Sequence, residues 1–206
     1  LLVLFSALLI NTNAESKKYF SNSEQERTKT FNVSSGGKLY INVNPGSIKI
    51  SAWDKNEVVV KVRGLENDEL DNVEMELKGN TVSVVYNPEW GWGDDAEFVI
   101  TIPAQFNIEA KTSGGDVGIN SNISGNVDIS TMGGDISTRD VKGKAKLSTQ
   151  GGDVKVGNIA GSLTLNTMGG DIRVGDVKGE FAKVSTMGGD IIIGKVASGI
   201  GATTYG

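Results

Sequence analysis

The residues of this chain that could do chemistry are carboxylates set at a fixed interval. A five-residue phrase, Thr-x-Gly-Gly-Asp, occurs five times, and its successive aspartates are 19, 18, 18 and 19 residues apart. Carboxylates in such a register could hold a row of calcium ions, or could supply the acid pairs that glycoside hydrolysis needs. The chain has no Cys and no His. Thiolate zinc sites, Cys nucleophiles and imidazole general bases are therefore excluded.

Calcium binding is the first alternative to weigh for these aspartates. Calcium-binding β-rolls use a nonapeptide with glycines and one Asp, and the period of 18 is twice nine. The half-period copy is missing, because Ser162 stands nine residues after Asp153 and has no Gly-rich partner. A purely structural role in turns is the other interpretation. Asp in a turn accepts hydrogen bonds from backbone N–H groups, and Gly adopts the positive φ that a tight turn needs.

We therefore interpret the repeated residues as structural corners and predict neither a metal nor a cofactor. The residues assigned to these corners are Gly114, Gly115, Asp116, Gly133, Gly134, Asp135, Gly151, Gly152, Asp153, Gly169, Gly170, Asp171, Gly188, Gly189 and Asp190. A catalytic role is disfavoured because an active site interrupts a repeat, whereas these aspartates follow it. A polysaccharide-active enzyme and a calcium-dependent β-roll stay as alternatives.

The largest departure from periodicity is an aromatic and acidic segment from Tyr86 to Asp95. It contains Trp90 and Trp92, separated by one Gly, and four acids lie near them in sequence: Glu89, Asp94, Asp95 and, just after the segment, Glu97. Indole rings next to carboxylates suit sugar stacking combined with hydrogen bonds to hydroxyl groups. We therefore assign Trp90 and Trp92 as a candidate ligand platform. The alternative is that both rings cover an apolar end or flank of the fold.

The elements that must position these residues are short strands. In the third repeat unit, apolar residues alternate at Ala145 and Leu147 before the glycines and at Val154 and Val156 after them. Residues 111–206 hold 21 of the 28 glycines, which disfavours helices. A fixed period near 20 is typical of a solenoid. The sequence thus predicts an all-β solenoid, or β-helix, with coils of 18–19 residues. One inward ladder should contain Val117, Ile136, Val154, Ile172 and Ile191.

The first half is predicted to be a less regular β region of the same stack. A hairpin turn is expected at Lys78-Gly79-Asn80, an acidic loop at Gly64–Asn72, and an early, degenerate coil from Pro45 to Ile50. Alternation marks strands around Thr30–Val33, Lys38–Val43, Ser47–Ala52, Val58–Arg63, Val73–Leu77, Thr81–Tyr86 and Glu97–Ile102.

The chain ends suggest export and further sequence. Leu1–Ile10 is apolar but too short to span a bilayer, and Thr12-x-Ala14 fits a signal-peptide cleavage site. Thr204 begins a sixth corner that is not completed, so we expect the repeat to continue. The predicted organisation is a signal peptide clipped at its start (1–14), a polar lead (15–28), the irregular β region (29–110) and the repeat solenoid (111–206), truncated at its C-terminus.

The order of these motifs resembles the bacterial DUF4097 putative-adhesin family. The resemblance covers residues 29–206 and rests on Phe31-Asn-Val33, on Trp53-Asp54 and above all on Pro103 followed by serial Gly-Gly-Asp coils. It is more distantly similar to the head domains of auto-transporter adhesins. The resemblance implies a β-helix-like solenoid on exported bacterial proteins and carries over no catalytic or binding residues.

These observations predict an exported, non-enzymatic structural or interaction module of the cell envelope. It would be periplasmic, secreted or at the cell surface, with a glycan or an envelope or surface protein as partner. The net charge is −5 and no basic stripe is present, so nucleic acid is not an expected partner. No transmembrane span is predicted.

Overall fold

The chain forms two long sheets, which we call sheet A and sheet B, in a computed structural model that describes residues 26–88 and 96–205. Within these residues each sheet has nine strands. The strands before the repeat are β1 (Glu26–Asn32), β2 (Lys38–Val43), β3 (Ser47–Trp53), β4 (Glu57–Arg63), β5 (Glu74–Lys78), β6 (Thr81–Tyr86), β7 (Glu97–Pro103) and β8 (Asn107–Thr112), with the helix α1 (Asn67–Asp71) between β4 and β5.

Shorter strands follow, one on each sheet per coil. They are β9 (Val117–Ile119), β10 (Val127–Ser130), β11 (Ile136–Thr138), β12 (Ala145–Ser148), β13 (Val154–Val156), β14 (Leu163–Asn166), β15 (Ile172–Val174), β16 (Phe181–Thr186), β17 (Ile191–Ile193) and β18 (Gly199–Thr204). The predicted all-β solenoid is confirmed. The proposed boundary between residues 110 and 111 falls inside β8, a strand that the irregular and regular regions share.

The strands stack in parallel along the coils. Sheet A runs in the order β1-β4-β7-β3-β9-β11-β13-β15-β17, and sheet B runs β18-β16-β14-β12-β10-β8-β2-β6-β5. A third column consists of isolated bridges that join Ile123, Val141, Ile159, Val177 and Val196. Each regular coil therefore contributes one strand to each sheet and one apolar residue to the bridge column.

The predicted inward ladder is confirmed by the strand register. Val117 pairs with Ile136, Ile136 with Val154, Val154 with Ile172, and Ile172 with Ile191. The first four are buried and Ile191, on the last coil, is half-buried. The ladder extends into the first half, where Ile48 pairs with Val117. The early coil expected from Pro45 to Ile50 is thereby confirmed as well.

The N-terminal end of the stack is closed by antiparallel strands. β4 pairs with β7 and β1 with β4 on sheet A, while β5 pairs with β6 on sheet B through the predicted hairpin at Gly79 and Asn80. Gly79 has the left-handed φ of +60° that such a turn needs. The loop expected at Gly64–Asn72 was wrong, because α1 lies within it. The Glu66 backbone N–H donates to the Glu69 carboxylate and caps the helix.

Candidate functional site

The Gly-Gly-Asp phrases lie where the chain passes from sheet B to sheet A, and their aspartates hydrogen-bond from coil to coil. The Asp116 carboxylate accepts the backbone N–H of Asp135 at 2.9 Å. Asp135 accepts from Asp153, and Asp153 accepts from Asp171, both at 2.8 Å. Asp171 accepts from Asp190 at 3.0 Å, and this backbone hydrogen bond lowers the pKa of the Asp171 carboxyl. Each carboxylate therefore joins its own coil to the next one.

The threonine that opens each phrase is buried and bonds in two directions. The Thr149 hydroxyl donates to the Gly134 carbonyl of the preceding coil at 2.9 Å and accepts the Gly152 N–H of its own coil at 3.2 Å. Thr167 repeats this pattern with Gly152 and Gly170. A hydroxyl is thus both donor and acceptor in every regular corner, which satisfies two buried backbone groups.

The two glycines of each phrase have different surroundings. A Cβ atom on Gly152 would lie 2.1 Å from the Gly134 carbonyl oxygen, whereas a Cβ atom on Gly151 would meet nothing closer than 3.7 Å. In the first corner, Gly115 has a positive φ of +104°, as expected. The glycines of the later described corners do not have a positive φ, so the expectation that positive φ explains them is wrong. The second glycine is required because the backbones of successive coils approach too closely for any side chain.

A second ladder lies at the turn that follows the sheet A strands, and the sequence interpretation missed it. Asn122 accepts the Asp140 N–H, Asp140 accepts the Asn158 N–H at 2.8 Å, and Asn158 accepts the Asp176 N–H at 2.9 Å. The signal was present as an Asp or Asn five residues after three of the corner aspartates, Asp135, Asp153 and Asp171. Side-chain amides and carboxylates are therefore interchangeable in this role.

Trp90 and Trp92, the candidate platform, lie outside the described residues. Their segment joins the end of β6 to Ala96, which is buried and directly precedes β7.

A groove with a volume of about 990 Å³ crosses the outer face of sheet A where the irregular region meets the first regular coils. One outward column passes through it in the order Lys49, Gly118, Ser137, Lys155 and Arg173. Gly118 and Ser137 are small, so a depression opens between the long side chains on either side. Strands about 4.8 Å apart place Lys49 and Lys155, three strands from each other, about 14 Å apart at the backbone.

The groove is lined by charges of both signs. Glu97 is bonded to Lys49 and lies 3.4 Å from the Arg63 guanidinium, and the Lys49 hydrogen bond lowers the pKa of the Glu97 carboxyl. At the other end Arg173 lies 3.1 Å from Asp171. Lys155 has no ion-pair partner among the described residues.

Three corner aspartates, Asp116, Asp135 and Asp153, form the wall of the groove next to the corners. Each uses Oδ1 for the N–H of the next coil, and no described donor contacts its Oδ2. The groove therefore offers oriented carboxylate oxygens and at least one unpaired ammonium to a polar ligand. Over residues 26–88 and 96–205, no group of three or more Asp or Glu side chains is placed to hold a metal ion.

Comparison with known proteins decides the family. The model of the family described as Toastrack DUF4097 matches residues 36–204. The chain belongs to this family. The resemblance seen in the motif order is thus confirmed, and the DUF4097 match begins before β2 and ends in β18.

Solved structures similar to this DUF4097 chain come from several bacteria. A putative adhesin from Bacteroides fragilis is 18% identical with a TM-score of 0.47, covering 88% of this chain and 98% of its own. A putative cell adhesion protein from Clostridium sporogenes is 13% identical with a TM-score of 0.36, covering 87% and 100%. A putative lipid binding protein from Parabacteroides distasonis is 13% identical with a TM-score of 0.37, covering 88% and 98%. No curated protein matches the chain.

No helix in the described part of the chain has the length and apolar character to cross a membrane.

Proposed function

We propose that this DUF4097 protein is an exported, non-catalytic binding module of the bacterial cell envelope, and that the groove on sheet A holds its ligand. Export is supported by the apolar segment Leu1–Ile10 with its adjoining cleavage pattern. A structural role for the corner residues is supported by the coil-to-coil hydrogen bonds of the aspartates and by the close backbone contacts of the second glycine in each phrase. The proposal includes the organisation predicted from the sequence: a signal peptide up to residue 14, a polar lead up to 28, the irregular β region up to 110 and then the repeat solenoid.

The observation that carries the proposal is the interruption of a column of long side chains. Lys49, Lys155 and Arg173 occupy the outward position on their strands, but the two strands between Lys49 and Lys155 carry Gly118 and Ser137. A solenoid with only a structural role would gain from a uniform face. Gly118 and Ser137 instead leave an open space, and the carboxylate wall and the cations of the groove surround this space.

A glycan suits this space. Sugar hydroxyl groups donate hydrogen bonds to carboxylate oxygens and accept them from ammonium groups, and the aspartates are held in fixed orientation by their Oδ1 contacts. Trp92 is four residues from Ala96, so the chain can hold it no farther than about 14 Å from that residue. We propose Trp90 and Trp92 as a stacking platform beside the groove.

Filling the groove tests the proposal. Ser137→Trp should block it, because the side chain projects outward from β11 between Gly118 and Lys155. Ser148→Trp is the matched control, since Ser148 occupies an outward position at the end of β12 on sheet B. We expect the wild-type protein and Ser148→Trp to be retained on isolated bacterial cell walls or on a glycan array, and Ser137→Trp to lose retention while keeping its melting temperature.

Equal retention of both Trp variants would contradict a ligand site in the groove. Release of reducing ends from a bound polysaccharide would contradict the non-catalytic part and support the enzyme alternative. Recovery of the mature protein in the cytoplasmic fraction of the producing bacterium would contradict export.

A further inference from the structure

Sheet B carries an exposed aromatic ring that originates in a one-residue insertion. Three residues lie between the bridge residue and the first inward strand residue in the neighbouring coils, as between Ile159 and Leu163, but four lie between Val177 and Ala182. The extra residue is Glu180, because Phe181 is level with Ser162 in the preceding coil. The insertion leads into Phe181, whose side chain is 47% exposed.

The other coils place polar or small residues at the position of Phe181. In stack order this row contains Lys38, Asn107, Asn126, Lys144, Ser162, Phe181 and Gly199. An exposed phenyl ring is unfavourable in water by itself. Its place in a polar row marks a departure from the repeat at this point of sheet B.

The two neighbours of Phe181 in this row are small. Ser162 stands on one side and Gly199 on the other, and a Cβ atom on Gly199 would meet nothing within 4 Å. Depressions of about 540 and 550 Å³ lie on the two sides, and Phe181 lines both of them. The slot on the Ser162 side is bounded by Lys144, two strands away, so it is about 10 Å wide at the backbone.

The charges around this slot favour an anion. Lys144 and Lys183 are exposed, and neither has an ion-pair partner among the residues that the structure describes. Lys146, in the same slot, is 3.4 Å from Asp128. Two carboxylates also line the slot, but both are paired with lysines: Glu109 with Lys38 and Lys111, and Asp128 with Lys146. Lys144 is therefore the charge of the slot that has no ion-pair partner among the described residues.

We propose that Phe181 and Lys144 form a second binding site, on sheet B, for a carboxylate-bearing sugar of an acidic polysaccharide. The ring stacks against the apolar face of the sugar, and the Lys144 ammonium pairs with its carboxylate. Thr164, which also lines the slot, supplies a hydroxyl for hydrogen bonding. This site depends on a different sheet and different residues from the groove on sheet A, so either can exist without the other.

Calorimetric titration of the full chain with hexagalacturonate, and with neutral cellohexaose as the comparison ligand, tests the site. Phe181→Ala should weaken hexagalacturonate binding about tenfold, and Phe181→Tyr should preserve it. Lys144→Ala should weaken hexagalacturonate binding and remove part of its salt dependence, while Lys142→Ala, an exposed lysine outside the slot, should have no effect. Ser162→Leu, which fills the slot, should weaken binding even if Phe181→Ala proves unstable.

Two results would overturn the site. The first is unchanged hexagalacturonate affinity in both Phe181→Ala and Ser162→Leu, or no binding by the wild-type protein. The second is stronger binding of cellohexaose than of hexagalacturonate. Ser137→Trp separates the two proposals, because it should leave hexagalacturonate binding at Phe181 intact whether or not it abolishes retention through the groove on sheet A.

Discussion

The region before the repeat adds large aromatic side chains to a core of Val, Ile and Leu, whereas the core of the coils after β8 has aliphatic side chains without aromatic ones. Tyr86, Phe98 and Phe106 are fully buried and all belong to the first region, with the Tyr86 and Phe98 rings 5.9 Å apart. The buried core of the coils consists of Val, Ile, Leu and Ala. Large rings fill irregular space between strands whose order differs from chain order, while small aliphatic residues suit identical layers.

The two regions also differ in how they hold their polar groups. The first uses ion pairs specific to single positions, such as Glu109 between Lys38 and Lys111, at 2.6 and 2.7 Å. The coils use the same backbone, Thr and Asp contacts in each turn. Uniform layers therefore depend on backbone proximity, and irregular layers depend on individual side chains. The groove on sheet A lies where the two regions meet.

The largest predicted effect concerns backbone proximity in the coils. Gly152→Ala should lower the free energy of unfolding by about 3 kcal/mol or more, because its Cβ atom would overlap the Gly134 carbonyl. Gly151→Ala, one residue earlier, should change it by less than about 1 kcal/mol, since there is space for the methyl group. Urea denaturation of both variants measures the difference. Equal destabilisation would show that conformation rather than proximity selects these glycines.

The next prediction concerns the buried corner hydroxyls. Thr167→Val keeps the shape but leaves the Gly152 carbonyl and the Gly170 N–H without their hydroxyl partner. We expect a loss of about 1–3 kcal/mol in the free energy of unfolding. Thr167→Ser should keep most of the wild-type free energy of unfolding, because the hydroxyl stays. A stable Val variant would mean that the ladder of hydroxyls contributes little to the coils.

A smaller effect is predicted for acid sensitivity in the first region. Hydrogen bonds from Lys111 and Lys38 lower the pKa of Glu109, so the folded chain binds this proton less tightly than the unfolded chain does. The resulting stabilisation is present above the ordinary pKa of about 4.5 and is lost as the pH falls through the lower folded value.

Glu109→Gln should remove about 0.5–1 kcal/mol at pH 7 and less at pH 3. Glu74→Gln, at an exposed position on the edge strand β5, is the matched control and should have almost no effect at either pH. Denaturation midpoints at the two pH values measure both variants. An identical loss at pH 7 and pH 3 would assign the effect of Glu109→Gln to packing instead of charge.

The smallest predicted effect is that of calcium on the regular coils. The corner aspartates already accept backbone N–H groups, so millimolar calcium or a chelator should leave the melting temperature unchanged. A calcium roll would respond clearly, because a ligand at 100 times its dissociation constant stabilises by about 2.7 kcal/mol. A rise of several degrees with calcium would restore that alternative.

The sequence was sufficient to predict most strands and the ladder, because alternation and period are local signals. β2 and β6 have the predicted bounds, and the Val117 ladder has the predicted register. Helix α1 was missed because its acidic residues indicate a solvated loop as readily as a short helix. The position of β3 between β7 and β9 could not be predicted, since alternation does not identify a strand's neighbours.

The two proposed binding sites could not be predicted from the sequence either. The groove exists because strand register brings Gly118 and Ser137 beside Lys49, which is distant in sequence. The Phe181 slot was closer to prediction, because its one-residue insertion is visible as the last 19-residue interval. The insertion alone does not show that the Phe181 ring faces outward. That became clear only from the register between β14 and β16.

The strand order has a consequence for the protein during its synthesis. β2 and β3 come early in the chain, yet in the stack they lie between β6–β7 and β8–β9. Until Glu97 and the residues after it have been made, β3 has neither of its neighbours in the sheet, and the backbone groups along both its edges stay unpaired. A nascent chain up to that point is therefore open to pairing with other chains, and the slow step of folding should be the closure of these distant pairs. The later coils can then add one after another as they emerge.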